Sequence, residues 1–265
     1  MVVEDVKDPD KRVELDVKKY FLSCKHLFNY LGALGDNRVV YEKQIVGGRV
    51  RADVMVFTEN KGIIGVEFKT APDTLKRLPR QLKYYSMVCN YVFVFCHDSH
   101  LKAVEDLIAK LGMKKYVGII TYEVFKGRII AGLYKEAKLN PHYSLATALQ
   151  MLWKTEIEYI LLVTTRKTSS VLKNTFKYEN MYTDLPSTAN HLLQDSELST
   201  RRGVSSKRLS KRQLVQNYIG VLGESAGTRI LCLAFIYPHY NPEKYLKIYD
   251  FGDNYGKYYE NKWGR

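Results

Sequence analysis

Acidic side chains are in short supply: 28 Asp and Glu stand against 41 Lys and Arg, a formal net charge of +13 with histidine neutral. That balance excludes an acidic scaffold or a nucleic-acid mimic, and it leaves nucleic acid and anionic membrane as the two broad classes of partner. Cysteine is sparse as well. Cys24, Cys89, Cys96 and Cys232 show no CxxC spacing, so the expectation is four buried free thiols rather than a disulfide framework. Cys96 with His97 and His100 lacks a second Cys/His pair that would complete a zinc site. Long apolar runs are missing too. The run around Tyr159 to Val163 falls far short of the roughly 18 residues a membrane span requires, and the opening MVVEDVKDPDKRVEL interrupts its apolar residues with charges, unlike a signal peptide. A cytoplasmic chain with no membrane partner is expected, and no internal repeat is visible.

What is present is enough for a core. A hydrophobic fraction of 46% and a charged fraction of 26% suit a folded domain, and the length suits one large domain or one domain with an appendage. Apolar spacing from Val13 to Leu31 predicts an amphipathic helix closed by Gly32. Three β-branched runs follow, starting at Arg38, Arg49 and Gly62, with Gly47-Gly48 supplying a tight hairpin; they predict an antiparallel meander. Pro79 opens a helix to about residue 89, YVFVFC (91–96) reads as a strand buried on both faces, and a helix from about Ser99 to Leu111, a strand at Tyr116 to Tyr122 and a last hairpin partner ending near Tyr134 complete the first part. Beyond Pro141 the pattern changes. SLATALQMLWKTEIEYILLV reads as one long helical stretch, and no further β run is expected until about Ile230. The predicted division is therefore 1–140 and 141–265, the second part mainly helical with a tyrosine-rich tail.

Asp53 lies in the second β run and Glu67 and Lys69 in the third. The strand period of two puts Glu67 and Lys69 on one face, with Val66 and Phe68 on the other. Charges in otherwise apolar strands are costly unless something binds them. Two carboxylates converging from adjacent strands make a hard oxygen site suited to Mg²⁺ or Mn²⁺, and a lysine beside it can position an attacking water and offset charge at a phosphoryl centre. The plain alternative for Glu67 and Lys69 is an ion pair on a solvated sheet face, worth about 0.2 to 1 kcal/mol.

These residues resemble the PD-(D/E)xK nuclease superfamily. The resemblance rests on Asp53 in RADVMVF, Glu67-Phe68-Lys69 fourteen residues later, Gln81 with Tyr84 and Tyr85 on the following helix, and the strand order; Ala52 stands where the superfamily name has Pro. It covers about residues 13 to 163 and, through Glu42, Arg49, Arg51, Asp73, Arg77 and the segment Leu152 to Glu156, it resembles a little-studied bacterial and phage family of that superfamily. It implies a restriction-endonuclease-like αβββαβ core with a mainly helical C-terminal extension. It also implies a Mg²⁺-dependent deoxyribonuclease in which Asp53 and Glu67 hold the metal, Lys69 positions water, and Gln81 orients that water or a phosphate. Glu42 would be the accessory acid, with Glu14 as its competitor.

Arg201, Arg202, Lys207, Arg208, Lys211 and Arg212 fall within twelve residues that contain no acid; they are candidates for gripping a DNA backbone, against the alternative of a solvated helix or loop face. The tyrosines beside lysines could stack on bases but serve equally as packing. A nuclease-fold module that binds DNA without cutting it, in a repair, phage or defence complex, is the competing reading. A homo-oligomer is compatible with the sequence, and fold does not dictate endo- versus exonucleolytic action or DNA versus RNA.

Overall fold

The β-branched runs become strands and the glycine pair between the first two becomes a hairpin, with Gly47 and Gly48 at φ 65° and 83°. The computed structural model describes residues 9–126, 128–158, 160–161 and 209–236, with side chains from Asp16 onward, Lys25 apart. The chain divides into two units, Met1–Met151 and Leu152–Arg265. The first unit runs past the expected turning point at Pro141 because Asn140 donates its side-chain amide to the Ser86 and Cys89 carbonyls at 2.7 Å each, and Ser144 N–H donates to Met87. These bonds tie 140–144 to the preceding helix.

In the first unit α1 (Pro9–Ser23) continues as a tighter 3-10 helix, Cys24–Leu31, stopped by Gly32 at φ 83°; the sequence predicted a single α-helix there. Then come β1 (Asn37–Ile45), β2 (Val50–Thr58), β3 (Gly62–Lys69), α2 (Leu78–Val88), β4 (Tyr91–His97), α3 (Leu101–Lys110), β5 (Val117–Phe125), β6 (Arg128–Lys135) and α4 (Leu145–Ala148). The six strands form one sheet in chain order. β1–β2, β2–β3 and β5–β6 are antiparallel, as the meander and final hairpin predicted, while β3–β4 and β4–β5 are parallel. The architecture is a mixed α/β sheet with helices.

One face carries Val54, Val56, Ile64, Val66, Phe68, Phe93 and Phe95 against Val17, Phe21, Cys24 and Phe28 of the first helical segment. Phe21 meets Phe28, Phe68 and Phe95 edge-on, with centroids 5.6 to 6.0 Å apart, a geometry that suits aromatic quadrupoles. The crossover helices α2 and α3 join parallel strands, and right-handed connections place both on the other face. There Leu78, Leu82, Tyr85 and Val88 are buried. All four cysteines are buried and free, as expected.

Gly65 sets how closely α2 approaches. A Cβ at this position would lie 2.5 Å from Tyr85 and 2.6 Å from Cys89, closer than packed atoms tolerate. Gly65→Ala should therefore destabilise the protein by about 1–3 kcal/mol, measured as a lower urea midpoint; an unchanged midpoint would show that α2 shifts freely.

Beyond Ser144 the chain departs from two sequence expectations. The long helical stretch from Ser144 is broken: α4 gives way to a 3-10 turn, Leu149–Met151, and helical backbone restarts at 154, where the Glu156 carboxylate accepts from Trp153 N–H at 2.5 Å. The β run expected near Ile230 is helical instead. It belongs to α5 (Lys211–Ile236), which is interrupted at Gly223 (φ 69°), with the Tyr218 hydroxyl donating to the Gly227 carbonyl across the break at 2.9 Å. Ile230 to Leu233 are buried consecutively, so the segment is apolar all round and carries no helical stripe to distinguish it from a strand. By length and composition α5 is apolar enough to cross a membrane, with mean hydropathy 1.5 over an 18-residue window, although it contains no uninterrupted apolar run of that length.

Candidate active site

The predicted catalytic residues come together where β2 and β3 part. Backbone pairing of these strands runs from Thr58↔Gly62 to Val54↔Val66 and ends there. Beyond that point side chains replace the ladder. The Phe68 N–H donates to Asp53 Oδ2 at 2.9 Å, and the Asp53 N–H donates to the Tyr85 hydroxyl at 2.8 Å, which in turn donates to the Val66 carbonyl at 3.4 Å. Asp53 is thus fixed by one oxygen. The fork opens into a cleft of about 370 Å³ whose lining includes Asp53, Glu67 and Lys69 from the sheet and Gln81 from α2. This is the C-terminal end of the parallel strands β3 and β4.

Glu67 is fully buried and Lys69 nearly so; Lys69 Nζ donates to Glu67 Oε1 at 2.6 Å. The pair does not sit on a solvated face. Glu67 Oε2 and Gln81 Oε1 are buried with no hydrogen-bond partner among the described residues. Two unanswered acceptor oxygens in one cleft are costly unless a cation or donor enters. Burial, and after it the negative charge of Glu67, push the Asp53 carboxyl up to about 7, against the smaller opposing effects of the Phe68 hydrogen bond and Lys69. Burial and the same carboxylates hold the Tyr85 phenol well above its ordinary range, so it stays a neutral strut.

The raised Asp53 carboxyl has a measurable consequence. Between its ordinary value near 3.8 and about 7 the folded protein holds a proton that the unfolded chain has released. Stability of the metal-free protein should therefore fall as pH rises through that window, by up to about 1.4 kcal/mol per pH unit. Asp53→Asn should flatten the slope and be the more stable form at pH 8. Urea midpoints from pH 4 to 8 measure it, and parallel curves for the two proteins would exclude Asp53 as the source.

Glu42 also lines the cleft. It stands opposite Asp53 where the β1–β2 pairing skips from Tyr41↔Val54 to Lys43↔Ala52, in a left-handed conformation at φ 51°, which costs a non-glycine residue about 1–2 kcal/mol. Its carboxylate is held by Lys18 of α1 at 2.5 Å. The side chain of its competitor Glu14 lies outside the described residues. Three cleft residues had not been singled out as site residues: Arg51, Asp73 and Arg77. Asp73 is set by a turn in which Thr70 N–H and Oγ1 both donate to its Oδ2 at 2.7 Å, a signal present in the Thr70-Ala-Pro-Asp73 spacing. His100 contacts the Thr70 carbonyl at 3.0 Å and His97 caps the turn after β4, so both histidines brace loops.

A family model described as bacteriophage P4 protein cII matches residues 8–217. The chain belongs to the bacteriophage P4 protein cII family. The match takes in every cleft residue and the basic run, and it ends within α5. No curated protein and no solved structure matches the chain. Of the basic residues in this phage-family chain, Arg201, Arg202, Lys207 and Arg208 lie outside the described residues. Lys211 donates to the Leu152 carbonyl at 2.6 Å, and Arg212 is exposed on the first turn of α5.

A divalent cation fits the cleft chemically. Asp53 and Glu67 supply hard carboxylate oxygens, and the buried unpartnered Glu67 Oε2 is a ready donor to a cation. Among the described residues no cluster of three or more His, Cys, Asp or Glu side chains forms a complete metal cage. Two carboxylates suit Mg²⁺, which keeps waters and takes further oxygens from phosphate, better than a metal that needs a full protein cage.

Proposed function

We propose that the chain is a metal-dependent nuclease of the PD-(D/E)xK type, hydrolysing phosphodiester bonds of DNA. The observation that carries this reading is the buried Glu67–Lys69 pair beside Asp53, with Glu67 Oε2 unanswered in the cleft. The restriction-endonuclease-like assignment of the core draws on the same fork: Asp from one strand, Glu-x-Lys from the next, and Gln81 and Tyr85 from the helix after them. Asp53 and Glu67 would hold Mg²⁺ or Mn²⁺, with Glu42 as the outer acid once released from Lys18. When bound, the ion supplies Lewis-acid polarisation of a phosphoryl oxygen. Lys69 holds water at the mouth of the pair and offsets charge developing on the phosphate. Gln81 orients that water or a phosphate oxygen, and Tyr85 keeps the fork open to a constant width.

Incubation of the full chain with linear, nicked, branched and single-stranded DNA, with Mg²⁺ or Mn²⁺ and with chelator, tests the reading. Metal-dependent loss of at least one substrate is expected. Intact DNA in every lane would favour the non-cleaving DNA-binding module.

A further inference from the structure

We propose that Arg51, Arg77 and Arg80, continued by Arg49 and Tyr84, form a phosphate-backbone grip on the first unit that leads a DNA strand into the cleft. The proposal rests on the nuclease reading for its substrate class and goes beyond it in assigning where the flanking phosphates sit. Arg51 lies two residues before Asp53 on β2, and so on the same face. Arg77 and Arg80 lie one turn apart at the start of α2, the helix that carries Gln81. Arg51 and Arg77 line the cleft itself. Arg80 donates to the Arg49 carbonyl at 3.3 Å and lies over the Tyr84 ring at 5.7 Å, which extends the cationic surface along the helix.

No carboxylate of the cleft forms an ion pair with these arginines, Asp53 and Asp73 being held by the Phe68 N–H and by Thr70. Glu67 is paired with Lys69, Glu42 with Lys18, and Asp73 with Thr70. Among the described residues none of the four arginines forms an ion pair, and all four are exposed. Exposed guanidinium groups at and beside a cleft, held in no ion pair, are available to a polyanion, and their planar forks suit phosphate oxygens. Tyr84 adds a ring on which an unpaired base can stack.

The test uses the full-length Asp53→Asn chain, in which cleavage is blocked, and a short fluorescent DNA duplex without divalent metal, titrated across KCl concentrations. Each lost phosphate contact lowers the slope of log K against log salt by about 0.9. Arg51→Ala/Arg77→Ala/Arg80→Ala should therefore flatten it by about 2 to 3. The charge-retaining Arg→Lys triple should keep most of the slope. Lys110→Ala/Lys114→Ala/Lys115→Ala, which removes equal charge around the C-terminal end of α3, at the opposite end of the parallel strands, should change it by less than one. An unchanged slope in the arginine triple would place the grip on the 201–212 run and overturn the proposal. An equal fall in the lysine control, or no DNA binding by the Asp53→Asn parent, would overturn it as well. A flattened slope together with a wild-type chain that cuts nothing would sustain the grip and reject the nuclease.

Discussion

Asp53→Asn should lose metal-dependent DNA cleavage by at least about a hundredfold while becoming more stable at neutral and alkaline pH. The combination is diagnostic because the usual reason for a dead variant, partial unfolding, runs the other way here. Asn keeps the shape of Asp and can still accept the Phe68 N–H through its amide oxygen, so the fork should hold. What it loses is the negative charge that burial and Glu67 make expensive. Lys69→Ala should be equally inactive, because it removes the only ammonium that reaches Glu67 among the described residues, but it should be less stable. Cleavage is followed on labelled DNA with Mg²⁺, folding by circular dichroism, and binding by fluorescence anisotropy without metal. Wild-type cleavage by both variants would remove Asp53 and Lys69 from the chemistry.

Glu67→Ala should be the most destabilising single change in the cleft, costing about 3–5 kcal/mol in urea or thermal unfolding, because it strands the Lys69 ammonium in a buried position. Removing both charges should cost far less. Glu67→Gln combined with Lys69→Met keeps the volume, leaves no uncompensated ion, and should be near neutral or stabilising by about 1–4 kcal/mol. The double variant would be inactive. If the single variant unfolds at the wild-type midpoint, water reaches the pair and its burial has been overstated. If the double variant is as unstable as the single one, the pair holds β3 in place through more than its charges.

The elements most legible in the sequence were those with one dominant signal. Gly47-Gly48 between β-branched runs announced the first hairpin, Pro79 announced α2, and the unbroken YVFVFC announced a strand covered on both faces. Asp53, Glu67 and Lys69 were legible as a group because charged residues in apolar strands are rare, Gln81 only through the resemblance to the nuclease superfamily, and all four share one cleft. What stayed hidden depended on tertiary detail. The left-handed backbone of Glu42 has no glycine to signal it. Arg51 and Arg77 entered only as part of the family resemblance, and their place in the cleft shows once α2 is docked beside β2. The run around Ile230 satisfies strand and helix alike because it is buried on every side, and the restart at Trp153 depends on one carboxylate three residues ahead.

Tyr85 fastens α2 to both prongs of the β2–β3 fork, and Gly65 lets the ring lie flush against the sheet. Two hydrogen bonds and a close ring contact thus hold this wall to the sheet. Under the proposed nuclease reading, a phosphate would enter this cleft at the width it has, and the strain of fitting a long stiff polymer would fall on the polymer. Chains that kink, fray or end easily would enter first, and a straight uninterrupted duplex last.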